Sequence, residues 1–310
     1  MTATDRPLVA LSVSDGPDLA RFGYLERHLR QVLAEVLIGL LRADCRVGYG
    51  GDLRRDGYTR DLFEALTAAY QRNQLAPTAR PAIVHYFPFS SWQEADTEEL
   101  LRHLQAVGGV AETRFLDAGG GYDAVFWTDD GLRQVLPDGE TAGLTQGDLI
   151  RLLQRLREAR VSETAARALT AMRETMARET VLRVVASGKV AGYQGRMPGI
   201  VEEALRHAEA GRLVVPLGAF GGAARAVAVA LRLLPAAARV PYAETGQGYE
   251  EALRVLAEFA GRQQDLAARL AVRPALERLA TADEPTAIAA GVVRLARLAA
   301  ETGQAHRTPG

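Results

Sequence analysis

Five short runs rich in Val, Leu and Ile recur along this chain, each followed by a turn or by an apolar stripe at helical spacing, and that alternation limits the available folds. The runs fall at residues 7–13 (PLVALSV), 45–49 (CRVGY), 81–87 (PAIVHYF), 181–186 (VLRVVA) and 212–217 (RLVVPL). Strands that are apolar almost throughout are covered on both faces, and strands joined through helices must cross over and pair in parallel. The first helical stripe spans residues 18–42 and places Leu19, Phe22, Leu25, Leu29, Val32, Leu33, Val36, Leu37, Leu40 and Leu41 on one side. Further amphipathic segments cover 59–74, 97–105, 147–179, 200–210 and 223–234, and 111–117 reads as another strand. The pattern predicts an α/β chain with a doubly wound, mainly parallel sheet and helices on both faces. Residues 118–148 are crowded with Gly and Asp and predict a loop or insertion over one end of the sheet. Residues 241–310 are Ala- and Leu-rich and read as a C-terminal helical extension beyond a main domain at 1–240.

Composition removes several classes. With 37 Lys and Arg against 38 Asp and Glu, the net charge is -1, so no excess of cations is available to hold a nucleic-acid backbone. Cys45 is the single cysteine, which excludes an internal disulfide. His28, His85, His103, His207 and His306 lack metal-ligand spacing, so neither a metal nor another cofactor is expected. The start lacks a basic segment followed by a long apolar one, and Arg breaks the richest apolar stretches well before a membrane-spanning length. The expectation is a soluble, cytoplasmic protein with no membrane partner.

Four turns bearing Gly or Ser follow predicted strands, at 14–17, 50–52, 188–199 and 218–222. In an open parallel sheet such turns gather on the edge formed by the strands' carboxyl ends, where ligands settle. Glycine admits close approach of backbone, and the next helix offers unpaired N–H groups to an anion. The expected ligand is a nucleotide or sugar phosphate. Candidate binding residues are Ser14, Gly50, Gly51, Asp52, Gly195, Arg196, Gly199, Phe220, Gly221 and Gly222. Glu202 and Glu203 follow Pro198 at a helix start, where they either complement the helix dipole or accept hydrogen bonds from ribose hydroxyls. Asp52 has two readings, a ribose contact or a cap, and Arg54 and Arg55 read as solvated. Arg173, in mid-helix, is either solvated or turned to the ligand. Tyr49 and Phe220 stand where a base can stack, although aromatic residues at strand ends commonly pack. Met172 and Met176 have core spacing, Cys45 and His85 read as buried, and no His near Ser14 or Asp15 supports a Ser-His-Asp enzyme.

Taken together, the GlyTyrGlyGlyAsp turn, the MetArgGluThrMet helix, SerGlyLysValAlaGlyTyrGlnGlyArgMetProGlyIleValGluGluAla and ProLeuGlyAlaPheGlyGlyAlaAla resemble the SLOG superfamily over residues 7–235. That superfamily includes the Rossmann-like domains of DNA-processing protein A, the LOG phosphoribohydrolases and sensor domains of bacterial antiphage systems. The resemblance implies a Rossmann-like sheet that binds a nucleotide or a derived signal such as an ADP-ribose or cyclic ADP-ribose species. It also implies Arg173 turned to the ligand. A homo-oligomer is expected, and the output needs either a separate effector protein or the C-terminal helices. The hydrolase branch carries ProGlyGly-x-GlyThr-x-x-Glu, and Glu203 matches its Glu. Arg196 and Met197 replace its glycine pair and Ile200 replaces its Thr, which favours the sensor branch. In the alternative, an N-glycosidase acting on nucleoside 5′-monophosphates, Glu203 and Arg196 would be the catalytic pair.

Overall fold

A computed structural model describes residues 6–51, 58–72, 80–158 and 164–305. The chain runs from β1 (Leu8–Ser14) through α1 (Glu26–Arg42) to β2 (Arg46–Gly50), α2 (Tyr58–Gln71) and β3 (Ile83–Phe87). A helical turn, α3 (Phe89–Trp92), α4 (Thr97–Ala106) and β4 (Ala111–Leu116) follow. Next come β5 (Tyr122–Thr128), β6 (Gly131–Val135) and β7 (Thr141–Gly143), then α5 (Gln146–Glu158) and α6 (Ala165–Glu179). The crossover units β8 (Leu182–Ser187), α7 (Gly199–Glu209), β9 (Leu213–Leu217) and α8 (Gly222–Ala230) complete the sheet. The chain then ends in α9 (Tyr249–Glu258), α10 (Ala260–Arg269), α11 (Arg273–Leu279) and α12 (Pro285–Ala305).

All nine strands form one sheet in the order β7-β6-β5-β4-β3-β2-β1-β8-β9. The six strands from β4 to β9 in that order are parallel, and β5, β6 and β7 add an antiparallel extension. The expected α/β doubly wound sheet is therefore present. β1 pairs with β2 on one side and β8 on the other, so the winding reverses between β1 and β8.

Residues 118–148 differ from a bare loop, because they hold β5, β6, β7 and the start of α5. Their Gly and Asp residues make the turns between them. Asp117 Oδ1 accepts the amides of Gly119 at 2.8 Å and Gly121 at 2.9 Å, with Gly120 at φ +88°, and so reverses β4 into β5. Gly131, at φ +111°, opens β6 after the next reversal. Ala124, Val125 and Phe126 bury the middle of β5.

The first helix also begins later than its apolar stripe. Gly23, at φ +82°, closes a short 3₁₀ turn at Ala20–Phe22, and α1 starts at Glu26 after an extended Leu25 whose amide donates to His28 Nδ1 at 2.9 Å. The C-terminal helices pack into the same core as the sheet. Ile288, Val292 and Leu295 of α12 join Val9, Leu33 and Val36 in one apolar cluster. Gly39 of α1 faces α12, where a Cβ would make ordinary contact with Val293 at 3.4 Å and Ala289 at 3.6 Å. On the opposite face, Leu253 and Leu256 of α9 pack with Val201 and Leu205 of α7. The outer edge of β9 is closed by one side chain: Gln263 accepts from the amide of Val214 at 3.1 Å and donates to the carbonyl of Arg212 at 2.8 Å. No helix among the described residues is long and apolar enough to cross a membrane.

Glu112 in β4 is fully buried and meets Arg46 at 2.7 Å, Arg114 at 3.0 Å and Arg80. Burial alone would raise its carboxyl, but the guanidinium groups of Arg46, Arg114 and Arg80 reverse this and hold it at about 2, against an ordinary 4.5. A depressed folded value means that the carboxylate contributes stability above about pH 4.5 and loses it as pH falls toward 2. Urea denaturation of the unaltered protein and of Glu112→Gln across that window should show the stability difference between them shrinking on the acid side of pH 4.5. Glu112→Gln should cost about 3 kcal/mol at neutral pH, because it leaves buried guanidinium charge unopposed.

Candidate functional site

Where the winding reverses, the crossover connections leave β1 and β8 on opposite faces and a crevice opens at the strands' carboxyl ends. A cleft of about 420 Å³ occupies this position. β1 contributes Ser12, Val13 and Ser14, followed by Asp15. β2 contributes Tyr49, Gly50 and the adjoining Gly51. α6 adds Leu169, Met172 and Arg173, and the β8–α7 connection adds Lys189, Gly192, Tyr193, Gln194 and Gly195. Gly199, Ile200 and Glu203 of α7 close that side.

Beneath the cleft lies a buried network of charge. Arg183 of β8 is 1% exposed and meets Glu203 Oε2 at 2.8 Å while donating to Ser12 Oγ. Thr180 donates its hydroxyl hydrogen to the carbonyl of Met176, and its Oγ lies 2.7 Å from His207 Nε2. His207 Nδ1 lies 3.0 Å from both Arg183 Nε and the carbonyl of Glu203. Burial, reinforced by Arg183, pulls the His207 imidazole well below its usual range and keeps it neutral. Arg173 of α6 pairs with Glu202, with its Nε 3.5 Å from Glu203 Oε1, and Glu202 also accepts from Thr170. The solvated reading of Arg173 therefore fails, because the side chain is buried and also lines the cleft.

Several glycines of this rim make room for side chains of the protein itself. A Cβ at Gly199 would come within 2.9 Å of Arg173 Nη2, and one at Gly195 within 3.4 Å of Nη1. At Gly50 it would meet Met172 Cε and Met176 Sδ at 2.9 Å each. Gly51 is fixed through its carbonyl, which lies 3.0 Å from Nε2 of the buried His85. Cys45 is buried as expected, and burial pushes its thiol up to about 11.

The two helix amino ends beside the cleft differ. At α8, Asp18 from the β1–α1 connection accepts the Gly222 amide at 2.7 Å and a hydrogen bond from Tyr242 at 2.8 Å, while Ala223 donates to the Gly188 carbonyl at 3.0 Å. That end already holds a carboxylate. At α7, the extended Pro198 gives no side-chain cap, and the amides of Gly199, Ile200 and Val201 find no acceptor among the described residues. Gly199 and Ile200 line the cleft, so this amino end opens into it. Lys189, half-buried on the same connection, lines the cleft and forms no ion pair with a described residue. Point charge and free amides together suit a phosphate. Among the described residues, no group of three His, Cys, Asp or Glu side chains is placed to hold a metal ion.

Of the residues expected from sequence, Ser14, Gly50, Gly51, Arg173, Gly195, Gly199 and Glu203 come together in this cleft. Glu202 lies one layer beneath, bound to Arg173. Arg196 is exposed and does not line the cleft. Phe220 is fully buried against Tyr24, and Gly221 and Gly222 face Asp18, so the fourth turn does not contribute. Asp52, Arg54 and Arg55 lie outside the described residues. Lys189 and Tyr193 were missing from the expected set. A signal for the first was present: Lys189 is the chain's single lysine among 37 Lys and Arg residues.

Gly199→Ala should displace the Arg173 guanidinium and cost roughly 1–3 kcal/mol in thermal denaturation. Gly192→Ala, at φ +66° with no atom within 4 Å of the added Cβ, should cost only about 1 kcal/mol of backbone strain. Equal costs at the two positions would contradict the packing role given to Gly199.

A family model described as SLOG cluster2 matches residues 4–130 and 143–281. The unmatched stretch between them holds β6 and most of β7, the outer part of the antiparallel extension. Neither a curated protein nor a solved structure matches the chain. With most of its length matched, and with the Rossmann-like sheet that such nucleotide-sensing domains share, the chain belongs to the SLOG cluster2 family.

Proposed function

We propose that the protein is a sensor that binds a nucleotide or a nucleotide-derived signal, of the ADP-ribose or cyclic ADP-ribose kind, in the cleft between β1 and β8. The observation that carries this reading is the uncapped amino end of α7, open to the cleft beside Lys189. A phosphate held there would accept from free amides and meet an ammonium, in a geometry that needs no large rearrangement. The family supplies the nucleotide class; the particular signal and a role in antiphage defence rest on resemblance alone. Transmission through a change of assembly or a separate effector protein is likewise part of the proposal.

Hydrolysis is the second reading, because Glu203 lines the cleft. Its oxygens, however, already face Arg183 at 2.8 Å and Arg173 at 3.5 Å, and this favours a structural carboxylate over one free to activate water. Arg196, the other residue the hydrolase reading needs, is exposed outside the cleft.

Calorimetry with AMP, ADP-ribose and cyclic ADP-ribose should show at least one ligand binding at micromolar concentration or below. Lys189→Ala should weaken that ligand by roughly 10- to 100-fold, the usual worth of a hydrogen bond to a charged group. Absence of binding by all three would overturn the sensor reading. Incubation with AMP should release no free adenine over many turnovers, and steady release would transfer the assignment to the N-glycosidase.

A further inference from the structure

We infer that Tyr193 is the platform on which the ligand's base stacks, so that the cleft selects a nucleobase-bearing phosphate over a bare sugar phosphate; this rests on the nucleotide reading above. Three aromatic side chains line the cleft, Tyr49, Tyr58 and Tyr193. Tyr49 and Tyr58 are 6% and 5% exposed and belong to the main apolar core, so their faces are covered. Phe220, the other aromatic residue suggested by sequence, is fully buried in that core. Among the described lining residues, Tyr193 is the aromatic side chain that stays partly open to solvent.

The ring is seated before any ligand arrives. Its hydroxyl donates to the Gln247 carbonyl at 2.5 Å. Its edge lies on Gly246, where a Cβ would come within 2.5 Å of Cε1 and 2.6 Å of Cζ, so that position requires glycine while the ring stays in place. The Gly246 amide in turn donates to the Val190 carbonyl at 2.8 Å, which ties this seat to the same connection that carries Tyr193. A ring already held in one orientation loses little further freedom when a base stacks on it, so the contact adds to affinity with a small ordering cost. Stacking accepts any base, yet contributes nothing to a ligand that has none. Lys189 and the start of α7 lie at the two ends of the connection bearing Tyr193, which puts the candidate base and phosphate contacts on one segment.

Calorimetry of the full chain with AMP, GMP, CMP, UMP and ribose 5-phosphate tests the assignment. At least one nucleotide should bind roughly 10-fold or more tightly than ribose 5-phosphate. Tyr193→Ala should erase that margin and leave ribose 5-phosphate binding unchanged. Tyr193→Phe keeps the ring and gives up the bond to Gln247, so it should keep most of the margin. Gly246→Ala should reduce the margin by pushing the ring from its seat, and it carries the comparison if Tyr193→Ala does not fold. Equal binding of all five probes to the unaltered protein, or equal loss of nucleotide and ribose 5-phosphate affinity in Tyr193→Ala, would overturn the platform and leave the phosphate site standing. If none of the five binds, the platform falls, and the nucleotide reading falls with it only if ADP-ribose and cyclic ADP-ribose also fail to bind.

Discussion

Arg183 carries a charge into the start of β8 with almost no solvent to receive it, and the residues around the cleft are arranged to answer that charge. Glu203 supplies the counter-charge, and Ser12 and neutral His207 take further donors. Because Glu203 belongs to α7, satisfying Arg183 also fixes how that helix lies on the sheet. Arg173 adds a second constraint from α6 by meeting both Glu202 and Glu203. Buried pairs of this kind contribute little net stability over an apolar alternative, but losing one partner leaves an expensive bare charge. Their effect here is orientation: the amino end of α7 faces the crevice between β1 and β8.

Orientation alone does not make an anion site, and α8 shows why. Its amino end borders the β8–α7 connection, yet Asp18 and the Gly188 carbonyl occupy its first amides. Tyr242 holds Asp18 from the other side, and the segment it comes from leads to Gly246 and Gln247 beneath Tyr193. The stretch before α9 therefore braces both connections that flank the cleft. One helix is closed by the protein's own carboxylate and the other is left open. The difference between them comes from a cap contributed across the fold and not from the local sequence of either helix.

The parallel strands were legible because each is a short apolar run with a clear end, and the helices between them because their stripes are long. The antiparallel extension was harder to read. Its strands are brief, and the Gly and Asp residues of their turns dilute the period-two pattern, although YDAVFWT before Asp129, Asp130 and Gly131 is a strand run meeting a hairpin turn. In the cleft, Ser14 and the Gly50–Gly51 pair follow from their places at strand ends. Arg173 and the glycines at 195 and 199 were found for a partly different reason: those glycines admit a guanidinium, and no single stretch of sequence shows that two segments so far apart will meet. The fourth turn misled because its glycines look free until Asp18 is seen upon them. Lys189 was readable from composition, as the one ammonium retained in a chain whose other basic side chains are all arginine.

In the proposed sensor, the amides at the start of α7 hold the ligand's anion. Titrating AMP into ¹⁵N-labelled protein while following backbone amide signals tests it directly. Downfield amide-proton shifts and slowed hydrogen exchange are expected at Gly199, Ile200 and Val201, with little change at Gly222, Ala223 and Ala224. Saturable binding that perturbs the α8 amides and leaves those of α7 untouched would contradict it.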